Sequence, residues 1–203
     1  MSPSQKDYFA EKAKDYDKEK ARTDNVSNIA SLILKEIAYT KDMSILDFGS
    51  GTGLLLSKIA PYVGKITAVD ISKSMNETLE SKRETIDCAL EIKQLDLTTE
   101  PMNQQFDGII SSMTMHHVEN IPKIFETFYG LLNEKGTLAL SDLDTEDGTF
   151  HKDDTGVFHF GFNRDEFAKM AENAGFKNLK IQTVGFVEKP YGKYSVFLLT
   201  GNK

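Results

Sequence analysis

The chain has 203 residues, a length that favours one compact α/β or α+β domain with an accessory segment. Its 39% hydrophobic and 27% charged residues lie near the globular norm, which excludes a disordered chain, a coiled coil and a collagen-like fibre. The net charge of −7 argues against nucleic acid as a partner, because binding to a phosphate backbone needs Lys and Arg to displace counterions.

Most of this charge falls in one short region, residues 142–154, which we call the acidic segment. It holds six acids and one base, a net −5, and leaves −2 for the rest of the chain. Cys88 is the single cysteine, which excludes an intramolecular disulfide and a Cys-rich zinc site. There is no signal-peptide pattern, and no apolar run approaches the ~18 residues of a membrane span. We therefore expect a cytoplasmic protein.

Two helices are predicted at the start of the chain, as an extension over residues 1–40. Apolar residues recur at roughly helical spacing between residues 4 and 20, which indicates a thin amphipathic helix. Asp24 is predicted to cap a second helix with an apolar face over residues 26–37.

From residue 44 onward short apolar runs alternate with helical patterns, which indicates a mostly parallel sheet with helices on both faces. The predicted strands are 45–48, 66–69, 90–95, 106–111, 137–141, 179–184 and 195–200. Asn163 and Glu166 resemble a capping box at the start of a helix that stops at Gly175. A linker of about ten residues joins the last two strands and is too short for a helical crossover, so these strands should be antiparallel. The fold class is α/β with seven strands.

A glycine-rich loop follows the first strand and precedes a helix: Gly49, Gly51 and Gly53. Glycines let the backbone turn sharply and let a ligand approach the main chain. Asp70 ends the second strand, where a carboxylate can accept hydrogen bonds from both hydroxyls of a ribose. Loop and acid together indicate an adenosine-type ligand.

Two kinds of cofactor fit this outline, a dinucleotide such as NAD and an adenosine cofactor that carries a cationic amino-acid group. A dinucleotide fingerprint requires its third glycine at position 54, where the chain has Leu54 and Gly53 falls one residue early. Asp47 would lie near the pyrophosphate of NAD, whereas an acid suits a cationic amino-acid group. These details favour the cofactor with a cationic amino-acid group.

Residues 45–140 resemble the core of the class I S-adenosylmethionine-dependent methyltransferases, in the small-molecule branch that includes the ubiquinone and menaquinone biosynthesis enzymes. Five strings occur in the family's order: DFGSGTG at 47–53, VDIS at 69–72 with Met75, DL at 96–97, FD to HHV over 106–118, and NEKGTL at 133–138. The resemblance implies a Rossmann-like fold, S-adenosylmethionine as cofactor and a small-molecule acceptor methylated on O, N or S.

The resemblance also implies which residues hold the methionine half of the cofactor. Gly49, Ser50 and Gly51 would line the methionine part and the ribose. Asp47 would act electrostatically near the ammonium group, and Ser111 would offer its carbonyl to the same group.

A second set of residues would hold the adenosine half. By family likeness Asp70 would bind the ribose hydroxyls, with Ile71 and Met75 against the adenine. Asp96 would accept a hydrogen bond from the adenine amino group, and the backbone amide of Leu97 would reach a ring nitrogen.

Candidate catalytic residues follow strands four and five. Methyl transfer from a sulfonium needs alignment, exclusion of water and, for some acceptors, removal of a proton. His116 is predicted to take that proton because imidazole titrates near neutrality, and His151 is a second catalytic candidate. His117 either contacts the substrate or packs under the loop.

Residues 142–162 are predicted to form a substrate lid, because acids alternate there with aromatic residues and histidines. Predicted substrate contacts are Tyr8, Asp142 and His159, while Tyr16 resembles a cofactor-binding aromatic position of the N-terminal lid. The acidic segment either attracts a cationic acceptor, binds a divalent metal with its histidines, or solvates a loop. The last interpretation is favoured, and no metal is expected.

The sequence thus predicts one methyltransferase domain over 1–203, with a cofactor-binding core at 44–142, the lid at 142–162 and a C-terminal helix and strand pair at 163–203. Two alternatives differ in class. One is a non-catalytic module that binds S-adenosylmethionine or S-adenosylhomocysteine and acts through a partner, and the other is an NAD-dependent oxidoreductase.

Overall fold

The computed structural model describes residues 7–10, 13–151 and 156–203. It contains a seven-stranded sheet formed by β1 (Ser44–Phe48), β2 (Lys65–Asp70), β3 (Ala89–Gln94), β4 (Phe106–Ser112), β5 (Leu132–Leu143), β6 (Lys177–Lys189) and β7 (Gly192–Asn202). Its α-helices are α1 (Lys20–Glu36), α2 (Leu54–Ile59), α3 (Lys73–Ser81), α4 (Ile121–Leu131) and α5 (Arg164–Asn173). Short 3-10 helices cover Ala13–Lys18, Ala60–Tyr62, Arg83–Thr85 and Met115–His117.

The strand order is β3-β2-β1-β4-β5-β7-β6. β1 to β5 pair in parallel, and β7 runs antiparallel to both β5 and β6. The predicted α/β fold is therefore confirmed, including its antiparallel last strand. Because the chain order reverses between β1 and β4, the carboxyl ends of these two strands flank a switch point, the usual place for a ligand in an open α/β sheet.

Hydrophobic residues pack on both faces of the sheet because neighbouring strand residues point to opposite faces. On one face Phe125 of α4 and Phe167 of α5 belong to a cluster with Leu46 of β1. On the other face Ile33 of α1 packs in a cluster with Ile45 of β1 and residues of α2. These layers hold the ends of β1 and β4 in fixed positions.

The last two strands are longer than predicted. They extend to Lys189 and from Gly192, so Pro190 and Tyr191 form a two-residue turn and the expected ten-residue linker is wrong. Many exposed polar residues in these strands hide the alternation on which the prediction depends. Asn163 caps α5 as predicted, because its side chain accepts from the amides of Asp165 and Glu166.

The N-terminal prediction needs two corrections. α1 begins at Lys20, with Glu19 at its N-cap, so Asp24 lies within the helix and does not cap it. Residues 13–18, which were expected to be α-helical, form a 3-10 helix. In this conformation Asp17 reaches both Thr52 and Lys82, and these polar contacts replace the apolar packing that an amphipathic helix would need. Residues 4–6, 11 and 12 of the predicted helix lie outside the described residues.

None of the helices in the described part of the chain is both long enough and apolar enough to span a membrane.

Candidate active site

The glycine loop lies between β1 and α2 and has three residues in the left-handed region, with φ of +66° at Gly49, +53° at Gly51 and +84° at Gly53. The amides of Gly49 and Ser50 donate to the Val69 carbonyl, at 2.8 and 3.1 Å, which ties the loop to the end of β2. A Cβ at position 51 would meet no described atom within 4 Å. At Gly51 the loop therefore presents its backbone to open space.

Asp70, at the end of β2, is hydrogen-bonded to this loop. Its Oδ2 accepts from the Gly51 amide at 2.7 Å, and its Oδ1 accepts from the Ser72 amide at 2.8 Å. Burial raises the pKa of Asp70, although these two amides act in the opposite direction. Each carboxylate oxygen has a second lone pair, so both can still accept from a ligand.

Asp47 is almost fully buried at the end of β1, with 1% of its surface exposed. Burial, and to a lesser extent the charge of Asp70, raise the pKa of Asp47 well above its ordinary value. Its Oδ2 and the Ser50 hydroxyl are buried and have no hydrogen-bond partner among the described residues. A buried polar atom without a partner is costly, so both atoms fit a ligand that brings donors to this place.

A cavity of about 450 Å³ opens in front of these residues. The predicted residues on its wall are Tyr16, Asp47, Gly49, Ser50, Gly51, His116, His117 and His151. Ser112 and Met113 line it from the end of β4. The structure therefore brings the glycine loop and three of the four histidines to one cleft at the switch point of the sheet.

The other predicted cofactor residues do not line this cavity, and Asp70 adjoins it only through its hydrogen bond to Gly51. Ile71 is half exposed, whereas Met75 and Leu97 are buried. The Asp96 carboxylate accepts from the amide and hydroxyl of Thr98, at 2.9 and 2.6 Å. Ser111 is fully buried and its hydroxyl donates to the Phe48 carbonyl. Their roles toward the adenine and the ammonium group stay predictions.

Sequence reasoning missed the contribution of α1 to this cleft. Arg22 lies over the Tyr16 ring, with its guanidinium carbon 3.8 Å from the ring centroid, and both line the cavity. Burial raises the pKa of Tyr16, while Arg22 lowers it. Asn25 lies beside them and is buried on the same helix face as Ile29. The sequence signal for this part of the cavity was Asn25, a polar residue at helical spacing on an otherwise apolar helix face.

His116 is held by Asp142. Its Nδ1–H donates to Asp142 Oδ1 at 2.7 Å, and its backbone amide donates to Oδ2 at 3.2 Å. Burial alone would raise the pKa of Asp142, but the electrostatic attraction and hydrogen bonds between Asp142 and His116, with the Leu143 amide, hold it below its ordinary value. The Asp142 side chain is completely buried, so its predicted contact with substrate is wrong. Its position lets it fix the orientation of His116.

The rings of His116, His117 and His151 form a cluster on the cavity wall. Their centroids are 4.3 Å apart for His116 and His117, 5.0 Å for His116 and His151, and 6.0 Å for His117 and His151. Burial, followed by the neighbouring histidines, lowers the pKa of both His117 and His151 to about 4. His117 Nδ1–H donates to the Gly156 carbonyl at 3.2 Å.

The structure separates His159 from this cluster. Its Nε2–H donates to the Val118 carbonyl at 2.9 Å, and it lines a different cavity, of about 640 Å³, beside the start of α5. A contact of His159 with a substrate in the histidine cleft is therefore not supported by its position. Tyr8 packs near Gly156, where an added Cβ would lie 3.3 Å from the tyrosine ring.

The described acids of the acidic segment have partners within the protein. Asp144 forms a two-bond ion pair with Arg164, at 2.6 Å for each bond. Glu146 and Asp147 accept from the amide of Thr149. These contacts hold the segment to the rest of the protein, a role that differs from the expected solvation of a loop. Residues 152–155, which include the last two acids, lie outside the described residues.

Solved structures with the same fold include a Haemonchus contortus phosphoethanolamine N-methyltransferase in complex with S-adenosyl-L-methionine, at a TM-score of 0.66 and 16% identity over 87% of this chain and 52% of that one. The N-methyltransferase NodS of Bradyrhizobium japonicum matches at a TM-score of 0.68 and 12% identity, over 90% of this chain and 96% of that one. The fold is thus that of the class I methyltransferases.

The methyltransferase domain family matches residues 18–181, so this chain belongs to that family. An uncharacterised methyltransferase of Schizosaccharomyces pombe is 31% identical over 156 residues, which are 68% of this chain and 55% of the relative. The chain spans about half the length of the curated relatives it matches.

Proposed function

We propose that this protein transfers the methyl group of S-adenosylmethionine to a small-molecule acceptor bound beside the histidine cluster. The observation that carries this proposal is the cleft with its surroundings at the switch point of the sheet. The open backbone of Gly51, the Asp70 carboxylate bonded to it, and an Asp47 oxygen that is buried and unpaired among the described residues lie together there. Family membership supports methyl transfer over the nicotinamide-dependent alternative.

The chain's own residues would bind and orient the cofactor. The carboxylate of Asp70 suits hydroxyl groups, Asp47 suits an ammonium group, and the open space at Gly51 lets a ligand approach the backbone. A positive charge beside Asp47 would lower its raised pKa, so we expect the cofactor to be bound with loss of a proton from this carboxyl. When bound, S-adenosylmethionine supplies an electrophilic methyl group on a positive sulfur.

The histidine cluster marks where we place the acceptor. His116, His117 and His151 share the cavity with the glycine loop, and the buried Asp142 holds one tautomer of His116 with its Nε2 free. Alignment of acceptor and methyl group in a closed cleft supplies most of the rate in a displacement of this kind. The cofactor, the acceptor and the catalytic roles of His116 and His151 are parts of this proposal.

Isothermal titration with S-adenosylmethionine and S-adenosylhomocysteine tests the cofactor site. Asp70→Asn should weaken binding by roughly tenfold or more, about 1.4 kcal/mol, because it removes the charge and one of the paired acceptors. Glu77→Gln is the matched control, since it removes a charge from an exposed position of α3 and should leave Kd within about twofold. Equal binding by wild type and Asp70→Asn would refute the assignment.

Turnover separates an enzyme from a non-catalytic module. We expect release of S-adenosylhomocysteine when wild-type protein is given S-adenosylmethionine with pooled thiols, phenols, amines and carboxylates. Tight cofactor binding without release from any pool would support the binding module instead.

A further inference from the structure

Three imidazoles converge on one point of the cleft wall. One ring nitrogen of each of His116, His117 and His151 lies within 4.8 Å of one nitrogen of each of the others. Around a tetrahedral ion with bonds of about 2 Å, three imidazole centroids would lie about 5 Å apart. The observed separations of 4.3, 5.0 and 6.0 Å bracket that value, and the ring nitrogens would have to move closer together to share one ion, because tetrahedral bonds of this length put them about 3.3 Å apart.

Two of these rings already have their second nitrogen engaged as it is in metal sites. His116 Nδ1–H donates to the Asp142 carboxylate, and His117 Nδ1–H donates to the Gly156 carbonyl. A histidine that binds a metal commonly donates its other N–H to a carboxylate or a backbone carbonyl, which fixes the tautomer and the ring orientation. Both rings therefore keep Nε2 as the nitrogen with a free lone pair.

We propose that His116, His117 and His151 bind one divalent transition-metal ion, with zinc as the best fit, and that Asp142 positions His116 for this role. Three imidazoles with no fourth side chain in the described cluster leave one coordination position open, as catalytic zinc sites do. Magnesium and calcium need oxygen ligands, so this donor set discriminates against them. The site differs from the sequence-based expectation that no metal binds.

The charges around the cluster are compatible with a cation. Asp142 is an anion directly behind His116. Lys189 lies on the same cavity wall and opposes cation binding, so its charge offsets part of this attraction.

The open position would face the cavity that the glycine loop also lines. This part of the inference rests on the proposed function, and it replaces the predicted role of His116 as the base, because the ion would occupy its Nε2. An acceptor thiol or hydroxyl bound at the open position would lose its proton to solvent. Its anion would form the new bond to the methyl carbon while the carbon–sulfur bond of the sulfonium breaks. Metal binding itself does not depend on that step.

Titration of metal-free protein with cobalt(II) and zinc tests the site without any turnover. We expect one ion per chain, with the visible absorption typical of nitrogen-coordinated cobalt(II), and no competition from excess magnesium. His117→Ala and His151→Ala should each weaken binding by roughly tenfold or more, and Asp142→Asn by roughly 10- to 100-fold. His159→Ala is the matched control, because that ring lies in the other cavity.

The proposal is overturned if no stoichiometric binding occurs, or if both histidine variants bind as tightly as wild type while their thermal unfolding shows a folded protein. An equal loss in His159→Ala would also overturn it. Titration of the same samples with S-adenosylhomocysteine separates the two proposals: cofactor binding without metal binding contradicts the metal site alone, and the reverse result contradicts the proposed function alone.

Discussion

Asp47 shows how a single residue links stability to binding. Its folded-state pKa is raised above its ordinary value of 3.8, so the stability that its protonated form contributes is present below pH 3.8 and is lost as the pH rises toward the folded pKa. At neutral pH the buried carboxyl therefore opposes folding. This cost is reasonable in a ligand site, because a bound cation would offset it.

Asp47→Asn should stabilise the cofactor-free protein by about 1 kcal/mol, which is roughly 2–4 °C in Tm for a domain of this size. Thermal unfolding at several pH values measures this effect, and we expect the gain to be larger at pH 8 than at pH 4.5. The same variant should bind S-adenosylmethionine more weakly than wild type. A lower Tm than wild type at pH 8, or a gain that does not change with pH, would show that Asp47 carries no such cost.

At the level of elements, the loop between β1 and α2 combines backbone strain with an open surface. Gly51→Ala should cost about 1–2 kcal/mol of stability because its φ is +53°. It should also weaken cofactor binding by roughly tenfold or more, because the added Cβ enters the cavity. Unfolding and titration with S-adenosylhomocysteine measure the two effects.

Gly53→Ala is the control for Gly51→Ala. Its φ is +84°, and its Cβ would lie 2.5 Å from the Leu79 side chain, but it does not line the cavity. We expect a larger loss of stability and a smaller loss of binding than for Gly51→Ala. The opposite ranking would mean that the cofactor does not contact the backbone at position 51.

The sequence predicted the elements whose signals are local. The apolar strands, the loop with Asp70 and the Asn163 cap all carry short-range patterns that tertiary packing does not override. It could not predict the start of α1, because contacts outside the helix occur there. Asp17 accepts a hydrogen bond from Thr52, which is distant in sequence, and Arg22 lies over the ring of Tyr16, which precedes the helix. Nor could it place Asp142 behind His116, because that pair depends on the spacing of β4 and β5.

At the scale of the whole molecule, the strand order accounts for the position of the site. β1 and β4 are neighbours in the sheet although β2 and β3 separate them in the chain, and residues after both strands line one cavity. The second cavity, near Asn163 and Met170, lies apart from the glycine loop. The first cavity is therefore the proposed place of the cofactor.

Backbone amide NMR shifts on addition of S-adenosylhomocysteine test this assignment most directly. We predict the largest shifts at Gly49, Ser50 and Gly51, with smaller ones at His116 and His151 and little change around Asn163. Shifts concentrated around Asn163, or no saturable shift in the glycine loop, would contradict the central claim that the cleft between β1 and β4 binds the cofactor.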